Sequence, residues 1–150
     1  MKASAIAVQL REVRDDDLEH FFAHQADAEA SRVASFEARA REPFFNHWKR
    51  ILRDPSVLVR TIVLESGHIA GNVVCFGPAE KRLVGYWVGR EFWGRGIATA
   101  GLTAFLPVLP ERVVYARVAR TNPRSIRVLE KAGFVLDEPL EELIFKYRRP

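Results

Sequence analysis

The chain has 150 residues, a formal net charge of +4 and an isoelectric point near 9.6, with 48% hydrophobic and 28% charged residues. That length suits one domain, residues 1–150, able to bury about 70% of its unfolded surface, and the composition excludes a disordered chain. No apolar run approaches the ~20 residues a membrane-crossing helix needs, and the short apolar stretch after Lys2 meets Gln9-Leu10-Arg11-Glu12 too early for a secretory signal.

The single Cys75 excludes an intramolecular disulfide and fits a reducing, cytoplasmic setting. A basic chain can serve nucleic acid, an anionic cofactor or only solubility. Its arginines are dispersed among carboxylates, as in Arg11-Glu12, Arg41-Glu42 and Arg90-Glu91, which makes nucleic acid the weakest of these readings.

In chain order, Leu10 to Val13 predicts a strand. Asp15-Asp16-Asp17 then supplies an N-cap and first-turn negative charge for a helix striped with Leu18, Phe21 and Phe22. Pro43 suits a first helical position, with Phe44, Phe45, Trp48, Ile51 and Leu52 behind it on one face. Val57 to Leu64 and Ile69 to Phe76 read as a hairpin around Ser66-Gly67, and Leu83 to Val88 as the next strand.

The period then changes. Ile97, Gly101, Leu102, Phe105 and Leu106 share one helical face that Pro107 ends. Val113 to Val118 is a further strand, Asn122 and Pro123 open another helix, Gly133 closes it, and Phe134 to Leu136 and Leu143 to Tyr147 are closing strands. The predicted order is β-α-α-β-β-β-α-β-α-β-β, an α+β fold.

The chemistry concentrates where the strand ending at Val88 passes through Trp93-Gly94-Arg95-Gly96 into the helix at Ile97-Ala98-Thr99. A helix N-terminus offers unpaired N–H groups and the positive end of its dipole, and glycines let backbone approach a phosphate closely. Two glycines at such a turn also serve packing alone. No G-x-x-x-x-G-K-[ST] run exists, and the third glycine of a dinucleotide fingerprint is absent, so P-loop and nicotinamide readings fall away.

This run, extended upstream to Gly85-Tyr86-Trp87-Val88, and a second block from Ala116 through Asn122-Pro123-Arg124-Ser125 to Ala132-Gly133-Phe134 resemble the GNAT superfamily of N-acetyltransferases. The branch resembled is that of the ribosomal-protein N-terminal (alanine/serine) acetyltransferases. The resemblance implies a mixed, mostly antiparallel central sheet with helices on both faces and a splay between its two central strands. It implies acetyl-CoA as a dissociable cosubstrate. The superfamily pattern Q/R-x-x-G-x-G/A lands on Trp93, Gly96 and Ala98, and the departure at Trp93 is similar to the branch's own variant. By that resemblance the cofactor lies against Trp87, Val88, Trp93, Gly94, Arg95, Gly96, Ile97, Ala98, Thr99 and Asn122. Asn122 can equally be a plain helix cap.

Two family positions for acid–base groups carry leucine. The tyrosine acid seven residues after the asparagine is Leu129, and the glutamate two residues before Gly85 is Leu83. In the resembling branch a serine three residues after the asparagine serves as acid, and Ser125 stands there, although it also fits as a first-turn residue. A thiol pKa of about 8.5 lets the thiolate leave with little protonation. The base stays unassigned, since Glu80 reads as a solvated turn charge.

Without a strong base, a lysine amine costs roughly 4–5 kcal/mol to deprotonate at pH 7, against about 1–1.5 for an α-amine. The expected acceptor is therefore an α-amine or a small-molecule amine of lowered pKa, not an ordinary protein lysine. The alternative class is a non-catalytic acyl-CoA-binding sensor. His20 and His24 are four apart, a zinc-compatible spacing, but no third ligand is evident and no metal is expected. His47 and His68 show no partners, Cys75 reads as core, and the oligomeric state stays open, a homodimer included.

Overall fold

The computed structural model describes residues 6–139 and 142–150; residues 1–5 of the apolar N-terminal stretch lie outside them. Among the described residues the chain forms β1 (Val8–Arg11), α1 (Asp17–Ala26), α2 (Ala28–Val33), α3 (Arg41–Arg53), β2 (Leu58–Leu64), β3 (Ile69–Phe76) and β4 (Leu83–Val88). These are followed by α4 (Ile97–Phe105), β5 (Val113–Ala119), α5 (Pro123–Lys131), β6 (Val135–Pro139) and β7 (Glu142–Arg148). Among the described residues, no helix is long and apolar enough to cross a membrane.

The strands form one sheet in the order β1-β2-β3-β4-β5-β7-β6. All neighbours are antiparallel except β4 and β5, which are parallel. That parallel pair forces a crossover, and α4 supplies it. The expected α+β fold with a mixed, mostly antiparallel sheet is therefore what the chain adopts.

Each face of the sheet carries its own apolar layer. Ile62, Val73, Val84 and Val114 meet Ile97, Leu102, Phe105 and Leu129 beneath α4 and α5. On the opposite face, Val59 and Val74 meet Leu18 and Phe21 of α1 and Phe44 and Trp48 of α3. Strand alternation assigns the β4 side chains: Tyr86 pairs with Val73 and faces α4 and α5, whereas Trp87 pairs with Asn72 and faces α1 to α3.

Several local expectations need correction. The first strand begins at Val8, two residues earlier than Leu10. Three helices, not two, separate it from β2. The unforeseen one, α2, is only six residues long and is started by Asp27, whose carboxylate accepts from the Ala30 N–H at 2.9 Å.

Pro43 is the third residue of its helix, still within the first turn where a missing N–H costs nothing. Pro107 lies in a short 3-10 turn, Leu106–Val108, that follows α4. Asp16 makes no capping bond. Asp17, 2% exposed, instead binds Arg11 through both carboxylate oxygens (2.7 and 2.9 Å), the Arg14 N–H (2.8 Å) and the Thr61 hydroxyl (2.7 Å).

Candidate active site

A cleft forms where β4 and β5 part. They share a single register pair, Leu83 with Tyr115, reinforced by the Tyr115 N–H donating to the Arg82 carbonyl at 2.9 Å. Arg82 anchors that point, because its guanidinium donates to the Gly77 carbonyl at 2.6 Å and pairs with Glu111 at 3.2 Å. Beyond it, β4 has a strand neighbour on one side only. Gly89 N–H donates toward β3, to the Ala70 carbonyl at 2.9 Å. Alternation therefore turns the amides and carbonyls of Tyr86 and Val88 to the open side.

The second wall is the turn into α4. Gly94 and Gly96 hold φ of +76° and +74°, the left-handed region that favours glycine. No side chain caps α4, so the N–H groups of its first turn, at Ile97, Ala98 and Thr99, stay available to an anion. Trp93 locks this turn to the strand. Its indole Nε1–H donates to the Val88 carbonyl at 2.9 Å, and the Arg124 guanidinium lies over the ring, 4.9 Å from the centroid. One lone pair of the Val88 carbonyl, which faces the open side, is thus already used.

The third wall is α5, entered through Asn122, whose Oδ1 accepts from the Ser125 N–H at 3.2 Å. The asparagine is a helix cap, with its amide N–H groups left for another acceptor. The enclosed volume is about 420 Å³. It is bounded by Tyr86, Trp87 and Val88, by residues 92–94 and 96–99, by Asn122, Arg124, Ser125, Arg127, Val128 and Lys131, and by Ala30, Val33 and Ala34 of α2. Every residue expected at the cofactor lines it except Arg95, whose exposed guanidinium lies 5.9 Å from the centre of the Phe92 ring.

The cleft is electropositive. Arg124, Arg127 and Lys131 fall at i, i+3 and i+7 of α5, one helical face, and all three line it. Dispersed in sequence, these cations are gathered by the helix. No carboxylate belongs to the lining among the described residues.

Tyr86 was also not foreseen. Its hydroxyl donates to the Ser125 carbonyl at 3.2 Å and is also hydrogen-bonded to Ser125 Oγ. Burial pushes the Tyr86 hydroxyl up to about 12, against the opposing pull of the Ser125 hydrogen bond. Its strand position gives no sign of this role, because the partner lies 39 residues away.

The remaining candidates stand apart. Leu129 and Leu83 are buried, so neither family acid–base position could take part without remaking the core. Glu80 is exposed in its turn. Phe44 and Trp48 are core, and burial pushes the Cys75 thiol up.

His24 is buried with no partner for Nδ1, and burial, helped by the His20 charge, takes its pKa down to about 4. Its neighbour in the pair, His20, is exposed. Among the described residues, no group of three or more His, Cys, Asp or Glu could hold a metal ion.

Residues 8–135 match the family described as acetyltransferase (GNAT) domain. The chain belongs to the GNAT acetyltransferase family. It is accordingly an acetyl-CoA-dependent N-acetyltransferase. Solved structures share this GNAT fold at low identity. A domain from Methanocaldococcus jannaschii superposes with a TM-score of 0.82 at 21% identity, over 95% of this chain and 99% of the other.

An aminoglycoside acetyltransferase in complex with coenzyme A gives 0.81 at 17% identity, over 95% of each chain. The spermidine N-acetyltransferase from Vibrio cholerae, in complex with CoA and spermine, gives 0.77 at 15% identity, over 93% of this chain and 92% of the other. No curated protein matches the chain by sequence.

Proposed function

We propose that the cleft holds acetyl-CoA and that the enzyme acetylates a primary amine of low pKa, an α-amine at a peptide N-terminus or on a small molecule. The observation that carries this reading is the uncapped, glycine-entered N-terminus of α4 opening onto the unpaired edge of β4. Backbone amides from Gly94 to Thr99, Arg95 included, hold the pyrophosphate, and Arg124, Arg127 and Lys131 balance the phosphate charge. The free edge at Tyr86 and Val88 takes the pantetheine arm, which runs past Trp87, and a backbone N–H of that edge stabilises the oxyanion of the tetrahedral intermediate. Asn122 donates its remaining amide hydrogens to the arm. Ser125 offers its hydroxyl to the leaving thiolate.

Deprotonation of the amine proceeds to solvent, which suits an acceptor already partly neutral near pH 7. The resemblance to the ribosomal-protein N-terminal acetyltransferases supports a peptide α-amine. The relatives' complexes with spermine and with paromomycin support a small-molecule amine. The free, buried Cys75 supports a reducing, cytoplasmic setting.

Calorimetry with acetyl-CoA, followed by thiol release with a panel of amines, tests the reading. An N-terminal peptide is expected to turn over at least tenfold faster than an internal-lysine peptide at neutral pH, in line with the ~3 kcal/mol gap in deprotonation cost. Equal rates on both would overturn the acceptor assignment.

A further inference from the structure

We propose that Tyr86 is a positioning residue for acyl transfer: its phenolic O–H donates to Ser125 Oγ and so turns the Ser125 proton into the cleft, toward the departing sulfur. The inference rests on the reading of Ser125 as the group that meets the thiolate.

The two residues are 39 apart in sequence and come from different walls of the cleft. Tyr86 stands on the stretch of β4 that has parted from β5, and its side chain crosses to the first turn of α5. Both polar contacts of its hydroxyl are on Ser125, and Oγ is the closer. The farther contact, the Ser125 carbonyl, can only accept, so the single phenolic proton lies on the Ser125 side and is shared between that carbonyl at 3.2 Å and the closer Oγ.

A serine hydroxyl has one proton and two acceptor sites. Were Ser125 the donor to Tyr86, a lone pair would face the cleft and repel a thiolate. With Tyr86 as donor, the serine proton is left to point outward. Tyr86 keeps its proton until about pH 12, so the donor is present throughout the working range.

The reaction balances without proton loss from either hydroxyl. The neutral amine attacks the thioester carbonyl, the C–N bond forms, the C–S bond breaks, and the electron pair leaves on sulfur. Ser125 O–H hydrogen-bonds to that sulfur while solvent takes the ammonium proton and later protonates the thiolate. The tyrosine absent at position 129 is thereby replaced by a phenol reaching in from the strand, acting through the serine.

The test is a double-mutant cycle on the full chain, with kcat and KM for acetyl-CoA measured separately. Tyr86→Phe is expected to lower kcat about tenfold, the upper end for a hydrogen bond between neutral groups, and to leave KM within about twofold. Ser125→Ala is expected to lower kcat at least as much, and the double variant to be no slower than Ser125→Ala alone.

Ser125→Thr, which keeps both an acceptor for Tyr86 and a proton for sulfur, is expected to stay within about threefold of the parent. Multiplicative losses, or an unchanged kcat for Tyr86→Phe beside a slowed Ser125→Ala, would overturn the coupling alone. An unchanged kcat for Ser125→Ala would overturn the serine's role and this proposal with it. If Tyr86→Phe does not fold, a Ser125→Thr rate as low as that of Ser125→Ala would still refute it.

Discussion

Gly96 shows how one residue can set both backbone shape and ligand access. At φ +74° a non-glycine residue is strained by roughly 1–2 kcal/mol. Gly96→Ala is thus expected to lower stability by about 1 kcal/mol and to raise KM for acetyl-CoA more than it changes kcat, measured by urea unfolding and steady-state kinetics. His24 carries a different liability. It packs edge-on to Phe92, with its Nδ1 buried and unpartnered.

Its folded pKa of about 4 lies below the unfolded value near 6.5, so below pH 6.5 the unfolded chain gains a proton that the fold excludes. Stability should therefore fall between pH 6.5 and 4, by up to about 3 kcal/mol, and His24→Leu should flatten that slope in a pH series of denaturation curves. Residue spacing made Gly94, Gly96, Asn122 and Ser125 legible in the sequence, because each acts on backbone within its own turn. Tyr86 was not, because its partner lies 39 residues away, nor was the bond from Thr61 to Asp17, which spans 44.

At the scale of elements, Asp17 joins β1, α1 and β2 through Arg11, the Arg14 amide and Thr61. Burial pushes its carboxyl up, but the hydrogen bonds from Arg11, Arg14 and Thr61 outweigh that and hold it below the usual carboxylate range. A depressed carboxylate stabilises the fold above its unfolded pKa and loses that contribution as pH falls through the folded one. This acid limb lies below pH 4, distinct from the His24 window. Asp17→Ala, which leaves Arg11 half-buried and unpaired, is expected to cost about 3 kcal/mol and lower Tm.

The bounds of β3 and β4 follow directly from their apolar runs, since both are central strands covered on two faces. The short α2 escaped notice because six residues hold less than two helical turns, too few to display a period. Its start depends on a cap at Asp27 rather than on an apolar stripe.

At the scale of the molecule, a chain of formal charge +4 gathers three cations on one wall of its cleft. Attraction between that wall and an anionic cosubstrate weakens as the screening length contracts with salt. KM for acetyl-CoA should rise several-fold between about 50 and 500 mM salt with kcat little changed. In the double variant Arg127→Glu, Lys131→Glu, KM should start higher and lose most of that salt dependence. Sheet order was the least legible level. Periodicity finds strands but not their neighbours, and the splay between β4 and β5 was implied by family resemblance rather than by any property of the two segments.

The Trp93 lock has a practical consequence. Of the three tryptophans in the chain, Trp87 and Trp93 line the cleft, while Trp48 is buried in the layer under α3. Indole emission is sensitive to a neighbouring cation, and Arg124 lies over the Trp93 ring. A ligand that draws Arg124 toward phosphate will alter that emission without any label. In a Trp48→Phe background, a cosubstrate titration can therefore be followed optically, and loss of the signal in Trp93→Phe would assign it to the turn rather than to the strand.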